Sequence, residues 1–568
     1  TSDNDQEQGI LRRSTFTDSI SSLDSIATLN RESISNSKNQ NHRMNLRFEY
    51  QIDSSNSILY TPTLTYQHSE NLSEDTSFTL STISSQEYLS ITGRTRNTNK
   101  RDGFNWGNNL LYRHKFRKTG RTITLGWNNT IGNSESKGFT LSDNNFFDKN
   151  DSLIRNIYQD QQNRQKTTTN NNILSTSYTE PFGLNKLLEL NYAYTYNKNT
   201  SDRAAYNYNA STKAYDDPNL EQTNEFENIF SAHRAGLNFR VQQKKYNYQF
   251  GVGVQQSILE SQSYQAMTGK DTLISESYIN YFPTANFNYT PVRGKNLRIA
   301  YNGRTNQPSI SQLQNVPDVS DPLNIKLGNP QLQQEFNHNF NINYNTFNVL
   351  TFKFISASLS FATTSNKIVN SIDLDRGVQI TQPVNMDGYY RAFSFVTLGL
   401  PFKNPKLKGS SINFTNNISF VRDVSLLRRQ KNIGKTFSLN QGAGVNFNKE
   451  NFDLGIKANL AYTNVRYSIN TLLNEDYFTQ TYSGDCSYTV KGFILATDFD
   501  YYINTGRADG FNQNIPLWNA SLSKQVFKKK NGEIKFSVND ILNQNQSITR
   551  TTGDNYIQDT RSIVLQRY

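Results

Sequence analysis

A single cysteine, Cys486, rules out any disulfide within the chain and any zinc site built on cysteine, since each needs at least two thiols. Long apolar runs are also missing. Nowhere do about 18 apolar residues follow one another, which excludes a transmembrane helix; a membrane β-barrel, whose strands need apolar residues only at alternate positions, is still allowed. Histidine is scarce: the five, at positions 42, 68, 114, 233 and 338, show no HExxH or other metal-ligand spacing. There is no GxSxG nucleophile elbow, and "GVGV" at Gly251 to Val254 lacks the helix that a phosphate loop requires. The carboxylate pairs Asp498/Asp500 and Asp373/Asp375 each share a strand face but have no third ligand or base nearby in the sequence, so they read as solvated charges. These absences argue against an enzyme, a bound metal and a cofactor. The formal charge of +11 is spread along the chain, not gathered in a nucleic-acid-binding motif, which argues against nucleic acid as a partner.

What is present is aromatic and polar at once. Hydrophobic residues make up only 35% of the chain, yet 32 Tyr and 35 Phe carry much of that share, a composition that favours strands. From Met44, "MNLRFEYQIDSSNSILYTPTLTYQHS" places Met44, Leu46, Phe48, Tyr50 and Ile52 on one face and Asn45, Arg47, Glu49 and Gln51 on the other. After "DSSNS" the alternation resumes at Ile58, Tyr60, Leu64 and Tyr66, which predicts a hairpin. The unit recurs around "RKTG", "EPFGLNK", "QQKKYN", "TPVRGKN", "PFKNPKLKGS", "NKEN" and "FKKKNGE", for about 20 strands in all.

Short connections alternate with long ones, at about 132–165, 197–230, 305–329, 363–387 and 543–559. That is the pattern of an outer-membrane barrel, with turns on the periplasmic side and loops outside. The expected fold is therefore all-β: a large antiparallel transmembrane barrel over residues 43–568, with Leu46, Phe48, Tyr50 and Leu64 towards lipid and Arg47, Glu49 and Gln51 inside. Residues 1–42, rich in Ser, Asn and charge with little sustained alternation, read as a polar loop or poorly ordered extension. Lysines of the short turns, among them Lys118, Lys244, Lys245, Lys406, Lys408 and Lys528, are placed to meet anionic headgroups or simply to keep the turns soluble.

Beyond barrel grammar, "AYNGRTNQPSISQLQNVPDVSDPLNIKLGNPQLQQEFNHNFNINY" from Ala300 resembles the TonB-dependent receptors of the outer membrane. There a strand ends in Arg and Pro, a long loop follows, and a GNP-x-L-x-x-E segment leads into the next strand. The matching residues are Arg304, Pro308, Leu313, Asn324, Gly328, Asn329, Pro330, Leu332 and Glu335. Turn chemistry accounts for the segment, so a structural role is expected of it in preference to a ligand site. "NLLYRHKFRKTGRTITL", "YTEPFG" and "VNDILNQNQSITRTTGDNYIQDTRSIVLQRY" resemble more closely the barrels of Bacteroidetes-type bacteria within that group. The resemblance implies outer-membrane location and energy-coupled import of a bulky nutrient through a plug-gated lumen. The partners it implies are outer-membrane lipid, the TonB system acting through a plug domain, and a surface lipoprotein. In such proteins a regulatory domain and a plug precede the barrel; neither is in this sequence, which reads as cut at both ends and truncated within the barrel. Two other roles fit the same residues, a structural or assembly component of the outer membrane and an open porin.

Overall fold

The computed structural model describes residues 2–17, 24–83, 86–313, 317, 324–375, 378–469, 471–527 and 531–565. They form one 30-stranded sheet, with helix limited to single turns at Ile310–Leu313, Pro405–Leu407 and Thr471–Leu473. None of these helices is long and apolar enough to cross a membrane. Neighbouring strands are antiparallel except for two short parallel contacts, Asn324–Lys326 with Val378–Met386 and Lys367–Asp375 with Ser411–Leu427. Ser2–Thr17 pairs with Asp24–Asn45 on one side and with Tyr556–Leu565 on the other, so the two ends of the chain form the seam.

The hairpin expected from Met44 onward is present: Phe48–Gln51 pairs with Asn56–Tyr60, and Asp24–Asn45 with Thr63–Ile83. Asp53 builds the turn between them by accepting the backbone N–H groups of Ser55 and Asn56 at 2.7 and 2.8 Å, and these bonds hold its carboxyl below the ordinary range together with the Asn56 side chain, the largest influence. Proline sets the breaks. Pro62 and Pro283 have no N–H to donate to a ladder, and each falls in the gap where a long strand splits into two pieces. Such splits account for much of the difference between 30 strands and the 20 read from the sequence. In "RKTG" the left-handed corner falls on Gly120, at φ 88°.

Buried apolar side chains gather in two small clusters, one of Val465, Tyr467, Leu473 and Ile557, the other of Leu259, Leu313 and Leu332. Most large apolar residues instead face outward from the sheet: Leu46, Phe48 and Tyr50, then Trp106 and Leu110, Leu125 and Trp127, and Leu190 and Tyr192 on four of its strands. Each group lies in the half of its strand next to a short turn. A sheet whose apolar face points out and whose alternate face is polar has its solvent preference reversed relative to a soluble sandwich.

Two expectations are corrected. The described part of residues 1–42 is not a loop or loose extension, because Ser2–Thr17 and Asp24–Asn45 are paired strands of the barrel wall. Above the apolar band both faces of a strand meet water, so a strand there carries no apolar alternation to read. For the same reason most of the long connections are strand. The 132–165 segment continues Thr122–Phe147 and Leu153–Pro181, and the 197–230 segment continues Lys186–Asn209 and Asn224–Gln242. Gln86–Lys115, at 30 residues, spans roughly 100 Å of strand at about 3.3 Å per residue, several times an apolar band of about 25 Å. Across the barrel, Lys295–Asn306 and Phe354–Ser365 have only 12 residues each. The wall is thus tall on one side and low on the other. Lys528 lies outside the described residues.

Candidate functional site

Where the wall is low, three segments gather at the end of the barrel remote from the short turns. They are residues 307–313 and 324–334, the hairpin of Lys367–Asp375 with Val378–Met386, and the hairpin of Gln546–Thr552 with Tyr556–Leu565.

The first is anchored by its apolar residues. Leu313 and Leu332, 1% and 5% exposed, pack with Leu259 against Phe230, Ile274 and Tyr278 of the tall side and Ile368 of the second segment. Asn329 fixes the corner between them. Its N–H donates to the Gln312 carbonyl at 2.6 Å, its Nδ2 donates to the Pro383 carbonyl at 3.0 Å, and its Oδ1 accepts the Gln331 N–H at 3.0 Å. The Gly328 carbonyl accepts from Gln382 Nε2 at 3.1 Å, and Glu335 Oε1 accepts the Ile368 N–H at 2.7 Å. Asn324 begins the short strand paired to Gln379, Pro308 is buried, Pro330 is exposed, and Arg304 stands exposed on its strand opposite Asn337. Of the nine motif residues the structure therefore brings Leu313, Gly328, Asn329, Leu332 and Glu335 into one fastening between neighbouring segments and leaves Arg304 outside it.

The second segment passes the connection on. Lys367 Nζ meets Asp423 Oδ1 at 2.7 Å and lies 3.6 Å from the centre of the Tyr389 ring. Asn370 reaches the tip of the third segment, with Nδ2 3.4 Å from Asp554 Oδ2. That tip is held on its other side by Asn432 Nδ2, donating to the Asp554 carbonyl at 2.9 Å, and by the Tyr467 hydroxyl, donating to the Gly553 carbonyl at 2.7 Å. Burial, then the charge of Asp423, push the Asp554 carboxyl above its ordinary range.

Behind the tip is a buried ionic network that the sequence reading missed. Arg550 and Asp559 face each other across the hairpin and form a two-pronged pair, Nε to Oδ1 at 2.7 Å and Nη2 to Oδ2 at 2.6 Å. The Ala508 N–H donates to Asp559 Oδ2 at 2.9 Å, and Arg507 Nη1 stands 3.8 Å from Oδ1. Glu475 lies 3.8 Å from Arg550 and is bonded to Arg13 of the first strand. Arg507 is short of partners: Nη2 donates to Thr479 Oγ1 at 3.0 Å, whereas Nε and Nη1 find no acceptor among the described residues. Burial lowers its basicity below that of a free guanidinium. Arg550 and Asp559 stand symmetrically about the turn "GDNY", the one signal by which the sequence could have suggested their pairing. Arg13, Glu475 and Arg507 come from distant stretches that no spacing rule connects.

Among the described residues no group of His, Cys, Asp or Glu is placed to hold a metal ion. Asp498 accepts Asn519 Nδ2 at 2.6 Å, and His114 Nδ1 lies 2.7 Å from Asn56 Oδ1, so each has an ordinary local partner. The parts of this rim arrangement meet through hydrogen bonds and an ion pair and, at Leu313 and Leu332, through apolar packing.

The model of the outer membrane protein beta-barrel family matches residues 114–568. No curated protein sequence matches the chain. Among solved structures, it is similar to the siderophore receptor PirA from Pseudomonas aeruginosa, at 9% identity and a TM-score of 0.40 over 100% of this chain and 81% of that one. It is likewise similar to the copper transporter OprC, at 8% identity and a TM-score of 0.47 over 99% and 80%. A third is the FrpB iron transporter from Neisseria meningitidis, at 10% identity and a TM-score of 0.40 over 100% and 82%.

Proposed function

Because the chain belongs to the outer membrane protein beta-barrel family and is an integral barrel of that membrane, we propose that it is the barrel of a TonB-dependent importer of a bulky nutrient, gated by a plug. The observation that carries this reading is the cover at the rim. Two connecting segments from separate parts of the chain meet a wall hairpin at the low side, and the hydrogen bonds that join them can open without breaking a strand ladder. An open porin needs no such cover. In this reading the GNP segment, Gly328 to Pro330 with Leu332 and Glu335, is a fastener and not a ligand contact, and the cover moves aside when ligand arrives from the tall side. TonB, working through a plug domain, supplies the energy, and a surface lipoprotein delivers the ligand. The chain itself does no covalent chemistry.

The test is uptake in cells that carry the full-length gene. Deletion of the gene, or depletion of TonB, abolishes uptake of one class of large nutrient, and the wild-type gene restores it. Normal uptake with a disturbed envelope would overturn the proposal in favour of an assembly role. Steady ion conductance in planar bilayers from the plug-containing protein would overturn it in favour of a porin.

A further inference from the structure

A cavity of about 390 Å³ lies between the 506–513 connection and one face of the first strands. The register sets its walls. Gly9 of Ser2–Thr17 stands directly opposite Arg561 on one side and Glu32 on the other. Leu11, two positions on, stands opposite Asn30, which in turn faces Phe78. Alternate positions share a face, so these side chains rise on the same side of the sheet, whereas Arg31 belongs by register to the opposite face. Gly510 and Phe511 close the cavity from the other side. Their connection is pinned to the neighbouring hairpin: the Gly506 carbonyl accepts Arg550 Nη1 at 2.7 Å, and the Ala508 N–H donates to Asp559 at 2.9 Å.

Two opposite charges in this cavity lack partners. Arg561 is half-buried and has no hydrogen bond or ion pair among the described residues, because Asp559, two positions along the same face, is taken by Arg550. Glu32 is exposed and likewise has none among them. With neighbouring strands about 4.8 Å apart, their backbones stand roughly 10 Å from each other across Gly9. Nothing in the wall requires glycine there. Its φ is outside the left-handed region, and an added Cβ would first meet the Arg561 guanidinium, at 3.6 Å. The missing side chain leaves an open floor between acid and base. Beside that floor Leu11, Phe78 and Phe511 supply apolar surface, and Phe78 is 44% exposed. A dipeptide holds its ammonium and carboxylate about 7 Å apart when extended. Contacts of about 2.8 Å at each end let it reach both charges. The volume suits such a molecule, being at the small end of the range of about 300 to 1,000 Å³ for ligand cavities.

We propose that this cavity binds a short zwitterionic peptide with apolar side chains, its carboxylate on Arg561, its ammonium on Glu32 and its side chains against Leu11, Phe78 and Phe511. This rests on the cavity and not on the import reading. The test is isothermal titration calorimetry of the full chain in detergent micelles with phenylalanyl-leucine, its C-terminal amide, its N-acetyl form and free leucine. Wild type binds the dipeptide at least about tenfold more tightly than each of the other three. Arg561→Met weakens the dipeptide by about the same factor and no longer separates acid from amide. Glu32→Gln likewise no longer separates the free amine from the acetylated one. Neither side chain has a partner in the wall, so both variants keep the wild-type folded mobility in unheated gels; Gly9→Leu, which fills the floor, serves if Arg561→Met does not fold. No binding of the dipeptide by wild type, equal binding by Arg561→Met, or equal affinity for the amide or for free leucine would overturn the proposal.

Discussion

Arg550 and Asp559 bind each other through two parallel bonds while their side chains are only 3% and 1% exposed. Removing one partner strands the other in a place that water does not reach. Asp559→Ala, which leaves both Arg550 and Arg507 without their shared acid, is expected to cost about 3 to 5 kcal/mol. Arg550→Met/Asp559→Leu should cost less than Asp559→Ala, because it leaves only Arg507, and not Arg550 as well, without the shared acid. Urea unfolding in lipid vesicles checks this, and a double variant worse than Asp559→Ala would refute it.

Asp554 gives the rim a pH dependence of definite sign. Its carboxyl is pushed up from 3.8 by burial and by Asp423, so the folded tip favours the protonated form. The stabilisation from protonation is therefore complete below the ordinary carboxylate value and fades as pH rises through the elevated one. Hydrogen exchange at the tip should accelerate from acid towards neutral pH, and Asp554→Asn should flatten the profile and slow exchange at neutral pH. Lys367, paired with Asp423, softens the effect, so Lys367→Met should steepen it.

Leu332→Ala empties a site shared by Leu259 and Leu313 and should cost about 2 to 4 kcal/mol locally. The sheet does not depend on that cluster, so the loss should appear as protease cleavage within 307–334 while the barrel keeps its folded mobility in unheated gels.

The two faces of one strand should respond oppositely to charge. Leu190→Arg, in the apolar band, is expected to cost about 2 to 4 kcal/mol, and Asn191→Arg, one residue on and facing inward, close to nothing. Unfolding titrations in vesicles separate them.

How much of this the sequence disclosed follows from where each segment meets water. Leu46, Phe48 and Tyr50 alternate with Arg47 and Glu49 because one face meets lipid and the other does not, so the barrel and its short turns were legible. Ile10, Leu29 and Ile34 sit in strands whose two faces are both wet, and the alternation that would have revealed Ser2–Thr17 and Asp24–Asn45 is absent. The GNP residues were legible as turn chemistry, but that Leu313 and Leu332 share a pocket with Leu259 depends on long-range packing. The ionic network was hidden for the same reason, since Arg13 and Asp559 come from opposite ends of the chain.

Nearly every strand pairs with a neighbour close in sequence, whereas the seam joins residues as distant as Gln6 and Ser562. Assembly is thus a succession of local hairpins, each quick to form, followed by one long-range pairing that cannot begin until the last strand exists. Before that step the growing sheet has two open edges, each able to capture a foreign strand. Arg13, reaching from the first strand to Glu475, is then among the last contacts made, and its loss should lengthen the life of the open form more than it weakens the finished barrel.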